Sequence, residues 1–146
     1  MEGKANVLPI EARAVVNARI LPGDSVAGVI DYIRKTTADA RIKVTPLNDS
    51  FSEPTAVSNI ESPNFGMLQR TIRQVFPDVV VAPGLVVGAT DSRHYAALTD
   101  NIYRFVPMRL GPTDIRRIHG TDERISVENY AQIVGFYVQL IRNSAL

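Results

Sequence analysis

A chain of 146 residues that is 45% hydrophobic and 21% charged carries enough apolar material for roughly one globular core. Its 16 Lys+Arg against 15 Asp+Glu leave +1, so no charge field calls for nucleic acid, an anionic membrane or a polycationic partner. Zero cysteines exclude a disulfide framework, a thiolate metal site and a cysteine nucleophile, so any metal must rely on His and carboxylates.

The start, Met1-Glu2-Gly3-Lys4, lacks the apolar stretch of a signal peptide, and no apolar run approaches the ~18 residues that span a bilayer. The expected location is cytoplasmic, with no membrane partner, unless a preceding segment carries a signal. From 12 to 21 the residues alternate: Ala12, Ala14, Val16, Ala18 and Ile20 face one way, and Arg13, Val15, Asn17, Arg19 and Leu21 the other, which reads as a strand. Pro22-Gly23 breaks it, and Asp24 or Ser25 caps a helix carrying Val26, Val29, Ile30 and Ile33. A second strand is expected at 41–46, and a polar connection between structural units at 48–63. Ser62-Pro63 then starts a helix with Phe65, Leu68, Ile72, Val75 and Phe76 on one stripe. Val79-Val80-Val81-Ala82 reads as a strand covered on both faces, and 101–108 as another. Ser126 caps a last helix whose apolar residues are Val127, Tyr130, Val134, Tyr137, Val138 and Ile141. The expected fold class is α/β: an α+β half-domain over 1–50, then a piece of an α/β sheet over 51–146.

Three segments carry groups with chemical potential. Arg19 projects from the polar side of its strand, where its fork suits a carboxylate and where a solvated arginine is the commoner case. The run Gly88-Ala89-Thr90-Asp91-Ser92-Arg93-His94-Tyr95 follows an apolar strand, the usual place for a ligand loop in an open α/β sheet; an ordinary polar turn fits as well. In Arg117-Ile118-His119-Gly120-Thr121-Asp122-Glu123 the imidazole is either a metal ligand or a hydrogen-bonded loop histidine. No Gly-x-Ser-x-Gly elbow, phosphate-loop signature or basic-aromatic stripe is present.

Taken in order, Asn6-Val7-Leu8-Pro9, Ala14-Val15-Val16-Asn17-Ala18-Arg19-Ile20-Leu21-Pro22-Gly23, Gly88-Ala89-Thr90-Asp91-Ser92-Arg93 and His119-Gly120-Thr121-Asp122-Glu123 resemble the C-terminal part of the dinuclear-zinc metallopeptidases. That family holds aminoacylase, carboxypeptidase S and succinyl-diaminopimelate desuccinylase. Tyr103-Arg104-Phe105 and Arg117-Ile118-His119-Gly120 are similar to the carboxypeptidase S and N-acyl-amino-acid hydrolase branch.

The resemblance implies a catalytic domain interrupted by a lid or dimerisation domain, with 1–50 as the second half of the lid and 51–146 as the catalytic part that follows it. It implies that His119 ligates zinc, one of two ions in the intact enzyme, and that Asn6, Arg19, Gly88 and Arg93 contact a peptide or N-acyl amino acid. Asp122-Glu123 stands for a usual Asn-Glu pair, and His94 falls at a customary aromatic position, so no metal role passes to it. The family's His-x-Asp and Glu-Glu motifs are absent from these 146 residues, so no general base is expected here. The expectation is a fragment of an amide hydrolase, inactive and weakly zinc-binding alone, and self-associating as a homodimer or larger species through uncovered apolar surface. The alternative is a non-catalytic dimerisation or carboxylate-binding module.

Overall fold

The computed structural model describes residues 10–47, 51–88 and 90–145, which fall into two compact units, Met1–Thr55 and Ala56–Leu146. Asn6 lies outside the described residues. Regular structure among the described residues is helical: α1 (Val26–Thr37), α2 (Pro63–Val75) and α3 (Val127–Ser144), with two 3₁₀ turns, Asp91–Tyr95 and Asp114–Arg117. None of the helices is long and apolar enough to cross a membrane.

The helices start where their side-chain caps stand. In the first unit Ser25 Oγ accepts the Gly28 N–H at 3.0 Å, and Glu53 reaches back to accept the Val26 N–H at 3.0 Å. Both bonds satisfy donors that the first turn leaves open. The helix stops at Ala38, whose φ of 48° is left-handed and whose N–H returns to the Arg34 carbonyl at 3.1 Å. Beyond it the Arg41 guanidinium bonds Asp39 and holds that carboxyl below the ordinary carboxylate range. Val26, Val29, Ile30 and Ile33 are half-buried, and α1 has no fully buried residue.

In the second unit α2 packs on α3. Ile72, Phe76 and Phe136 are buried together, with Leu68, Val75, Val79, Val81 and Leu140 against them. The stripe expected on α2 is the one it buries. Thr71, 0% exposed, adds a polar clamp: its hydroxyl donates to the Met67 carbonyl at 2.9 Å and accepts the Asn143 amide of α3 at 2.7 Å. Ser126 caps α3 by accepting the Asn129 N–H at 3.1 Å. Replacing Ser126 with Ala is expected to lower stability by about 1 kcal/mol, with Ser126→Asp restoring most of it, as read from urea denaturation midpoints.

Two expectations need correction. The α/β class is not realised within the described residues, because 12–21, 41–46, 79–82 and 101–108 enter no strand ladder. A helix closes its hydrogen bonds within its own segment, whereas a strand exists only beside a second strand in register, and none of these segments has one here. The run 79–82 is also not covered on both faces: Val79 and Val81 join the core while Val80 is 93% exposed. The sequence reading made no choice of buried face for α3. Its buried side is Asn129 and Phe136, and the face bearing Val127, Tyr130, Val134, Tyr137, Val138 and Ile141 stands exposed. A helix apolar on more than one face gives no periodicity that selects which face meets its neighbour.

Candidate functional site

The segment 101–105 is fastened at several points. Ser58 Oγ accepts the Ile102 N–H at 2.9 Å and donates to the Ile102 carbonyl at 3.0 Å. The Tyr103 hydroxyl donates to the Asn59 carbonyl at 2.6 Å, and its ring lies 5.3 Å from that of Phe65 on α2. Two residues on, Phe105 packs on Phe136 of α3, again at 5.3 Å between centroids. Arg104 therefore leaves a backbone held on both sides. Its Nε donates to Ser92 Oγ at 2.8 Å and its Nη1 to the Val86 carbonyl at 2.9 Å.

Those two acceptors bracket the glycine-containing loop. Gly88 is half-exposed between them, and Thr90 opens the 3₁₀ turn Asp91–Tyr95 by accepting the Ser92 N–H at 3.3 Å. Thr90 and Ser92 also share a hydroxyl–hydroxyl bond. Arg93 and His94 sit exposed on that turn. The structure thus brings Gly88 and Arg93 into one loop, and Arg93 has no ion-pair partner among the described residues, so its charge stands open to an anion.

His119 belongs to a second loop, closed by charge. Asp114 accepts the Gly111 N–H at 2.7 Å with one oxygen and the Arg117 guanidinium at 2.8 Å with the other. Arg117 Nε lies 3.6 Å from Asp122, which Arg124 also meets at 3.1 Å. Within this frame the Gly120 N–H returns to the Arg117 carbonyl at 2.8 Å, and His119 takes a φ of 61°. Left-handed backbone is uncommon for a residue with a Cβ, although His adopts it more readily than bulky side chains do. The imidazole is exposed.

The two acids nearest His119 in sequence do not assemble with it into a metal cage. Asp122 faces Arg117 and Arg124, and no group of three His, Asp or Glu able to hold an ion occurs among the described residues. The residues present do not fit a zinc site by themselves. Arg19 is exposed and without an ion-pair partner among the described residues, in the other unit from Gly88, Arg93 and His119.

Of two polar anchors, Asn129 escaped the reading of the sequence, and Arg104 entered it only within the phrase Tyr103-Arg104-Phe105. Arg104 carried a visible signal, a charge flanked by Tyr103 and Phe105 that hold the backbone on either side. Asn129, 4% exposed, accepts the Arg109 N–H at 2.9 Å and donates to the Pro107 carbonyl at 3.1 Å. Nothing local distinguished it from an ordinary third helical residue after a serine cap.

The sequence profile of Peptidase family M20/M25/M40 matches residues 4–143. The probable carboxypeptidase S-like 2 of Dictyostelium discoideum is 48% identical over 141 residues, covering 97% of this chain and 27% of that protein. An N-fatty-acyl-amino acid synthase/hydrolase of Xenopus tropicalis is 47% identical over 141 residues, with the same coverage of 97% and 27%. Carboxypeptidase S of Saccharomyces cerevisiae is 29% identical over 171 residues, covering 96% of this chain and 29% of its own length. The chain therefore spans less than a third of each of these relatives. No solved structure matches.

Proposed function

The chain belongs to Peptidase family M20/M25/M40, and from that membership we propose that it is the C-terminal part of a zinc-dependent carboxypeptidase or N-acyl-amino-acid hydrolase, cleaving amide bonds next to a free carboxylate. The observation that carries the proposal is the extent of the family match, residues 4–143, which contains Asn6, Arg19, Gly88, Arg93 and His119. Residues 1–50 act as half of the lid and dimerisation domain, and 51–146 as catalytic-domain sequence. On this reading the open guanidinium of Arg93, with Gly88 five residues before it, receives the substrate carboxylate. Arg19 and Asn6 add contacts from the lid. His119 is one zinc ligand, and the remaining ligands and the general base lie outside these 146 residues.

The exposed apolar faces support the same reading. A large apolar surface on a helix that already has a packed face calls for a further layer. On α3, Val127, Tyr130, Val134, Tyr137, Val138 and Ile141 form such a surface, and α1 has no buried residue at all. The isolated chain is expected to self-associate, which light scattering would show as a mass above one chain.

The test is a chimera in which this chain replaces the matched 141 residues of the Dictyostelium relative. The chimera is expected to hydrolyse an N-acyl amino acid or a peptide with a free C-terminus. The isolated chain is expected to do neither and to bind zinc only weakly in calorimetry. An inactive, folded chimera overturns the enzyme reading in favour of the non-catalytic module. Tight stoichiometric zinc and turnover in the isolated chain overturn the fragment reading.

A further inference from the structure

Arg104 spans the loop that holds Gly88 and Arg93 without belonging to it. Its backbone is fixed through Ile102 on Ser58, through Tyr103 on Asn59 and Phe65, and through Phe105 on Phe136, so it starts from the helical core. Its guanidinium ends on the Val86 carbonyl and the Ser92 hydroxyl, one acceptor on each side of Gly88. We propose that Arg104 is a positioning residue, a clasp that fixes Val86 and the 3₁₀ turn Asp91–Tyr95 relative to each other and thereby the place where Arg93 presents its charge. The proposal rests on the reading of Gly88 and Arg93 as substrate contacts.

The physical case is one of shape. The two acceptors belong to different parts of the loop, a backbone carbonyl before the glycine and a side-chain hydroxyl at the start of the 3₁₀ turn. A planar fork offers its Nε and Nη1 donors at a fixed spacing that meets both acceptors, whereas the three donors of an ammonium radiate from one atom on a flexible stem and do not reproduce that spacing. Glycine in a loop adds conformational freedom that a single anchor does not remove. Ser92 is in turn held by Thr90, so the clasp reaches the turn that carries Arg93.

Hydrogen exchange of the 146-residue chain tests the clasp directly, and kinetics in the chimera test its consequence. Arg104→Met keeps much of the side-chain bulk and removes the donors. Amides in peptides covering 86–95 are expected to exchange about tenfold faster in Arg104→Met, with α2 and α3 unchanged and Arg104→Lys in between. Unchanged loop exchange with intact helices overturns the proposal. If Arg104→Met fails to fold, Ser92→Ala decides: faster exchange at 90–95 supports the clasp, and no change overturns it.

In the chimera, Arg104→Met is expected to raise KM about tenfold with kcat within about twofold, because a displaced carboxylate contact is lost equally from ground and transition states. Equal losses in kcat and kcat/KM overturn the role in substrate positioning. A parent chimera with no activity counts against the proposed function, and the exchange measurement then decides the clasp by itself.

Discussion

Phe136→Ala is expected to destabilise the Ala56–Leu146 unit by about 3–5 kcal/mol, a large share of the roughly 5–15 kcal/mol that holds an ordinary domain together. Phe136 is 1% exposed and shares the buried core cluster with Ile72 and Phe76. Its ring also meets Phe105 at 5.3 Å and Tyr137 at 5.4 Å, contacts that add to the area it removes from water. With so few buried neighbours, the void has little apolar material to close around it. Urea denaturation followed by helical circular dichroism measures the loss. Val127→Ala on the same helix, at a position 88% exposed, is the control and is expected to shift stability by no more than about 0.5 kcal/mol. A Phe136→Ala variant no less stable than that control would mean that the α2–α3 contact is not what holds this unit.

Phe136 also shows where the sequence stops being legible. Ser62 and Ser126 were readable as helix starts and Ser25 as one of two candidates with Asp24, and each serine caps the helix it precedes, because a cap acts over two or three residues. The α2 stripe was readable for the same local reason. On α3, however, Phe136 lies among apolar residues on several faces, and the choice of face is made by α2, which the local pattern does not contain. The expected strands do not form among the described residues for a related reason: alternation at 12–21 states that one face is apolar and says nothing about what pairs with the backbone. Among the candidate site residues, Gly88 and Arg93 stand five positions apart in sequence, within one short segment. Of the ion pairs near His119, Asp114–Arg117 and Asp122–Arg124 are local, whereas Arg117–Asp122 was less visible because it spans the turn at Gly120.

Asn129→Ala is expected to cost about 2–4 kcal/mol, more than loss of the adjacent Ser126 cap, because it leaves two backbone groups without a partner rather than one. The side-chain oxygen accepts the Arg109 N–H and the side-chain nitrogen donates to the Pro107 carbonyl, so one amide closes both ends of a three-residue span over the first turn of α3. Pro107 is buried, and Arg109 lies over the Phe76 ring at 5.3 Å, so the span is part of the core's edge. Asn129→Asp separates the two bonds. An ionised carboxylate still accepts from Arg109 but sets an oxygen against the Pro107 carbonyl, whereas the protonated acid donates to it as the amide does. The folded state therefore favours the protonated acid, and the pKa of Asp at this position is expected to rise on folding. A raised folded pKa gives stability that is present below the unfolded value and lost as pH rises through the folded one. The stability gap between Asn129→Asp and the unaltered chain should accordingly narrow in acid and widen toward neutrality, measured as the difference between paired urea curves at each pH. A gap independent of pH would show that the Pro107 carbonyl does not depend on this donor.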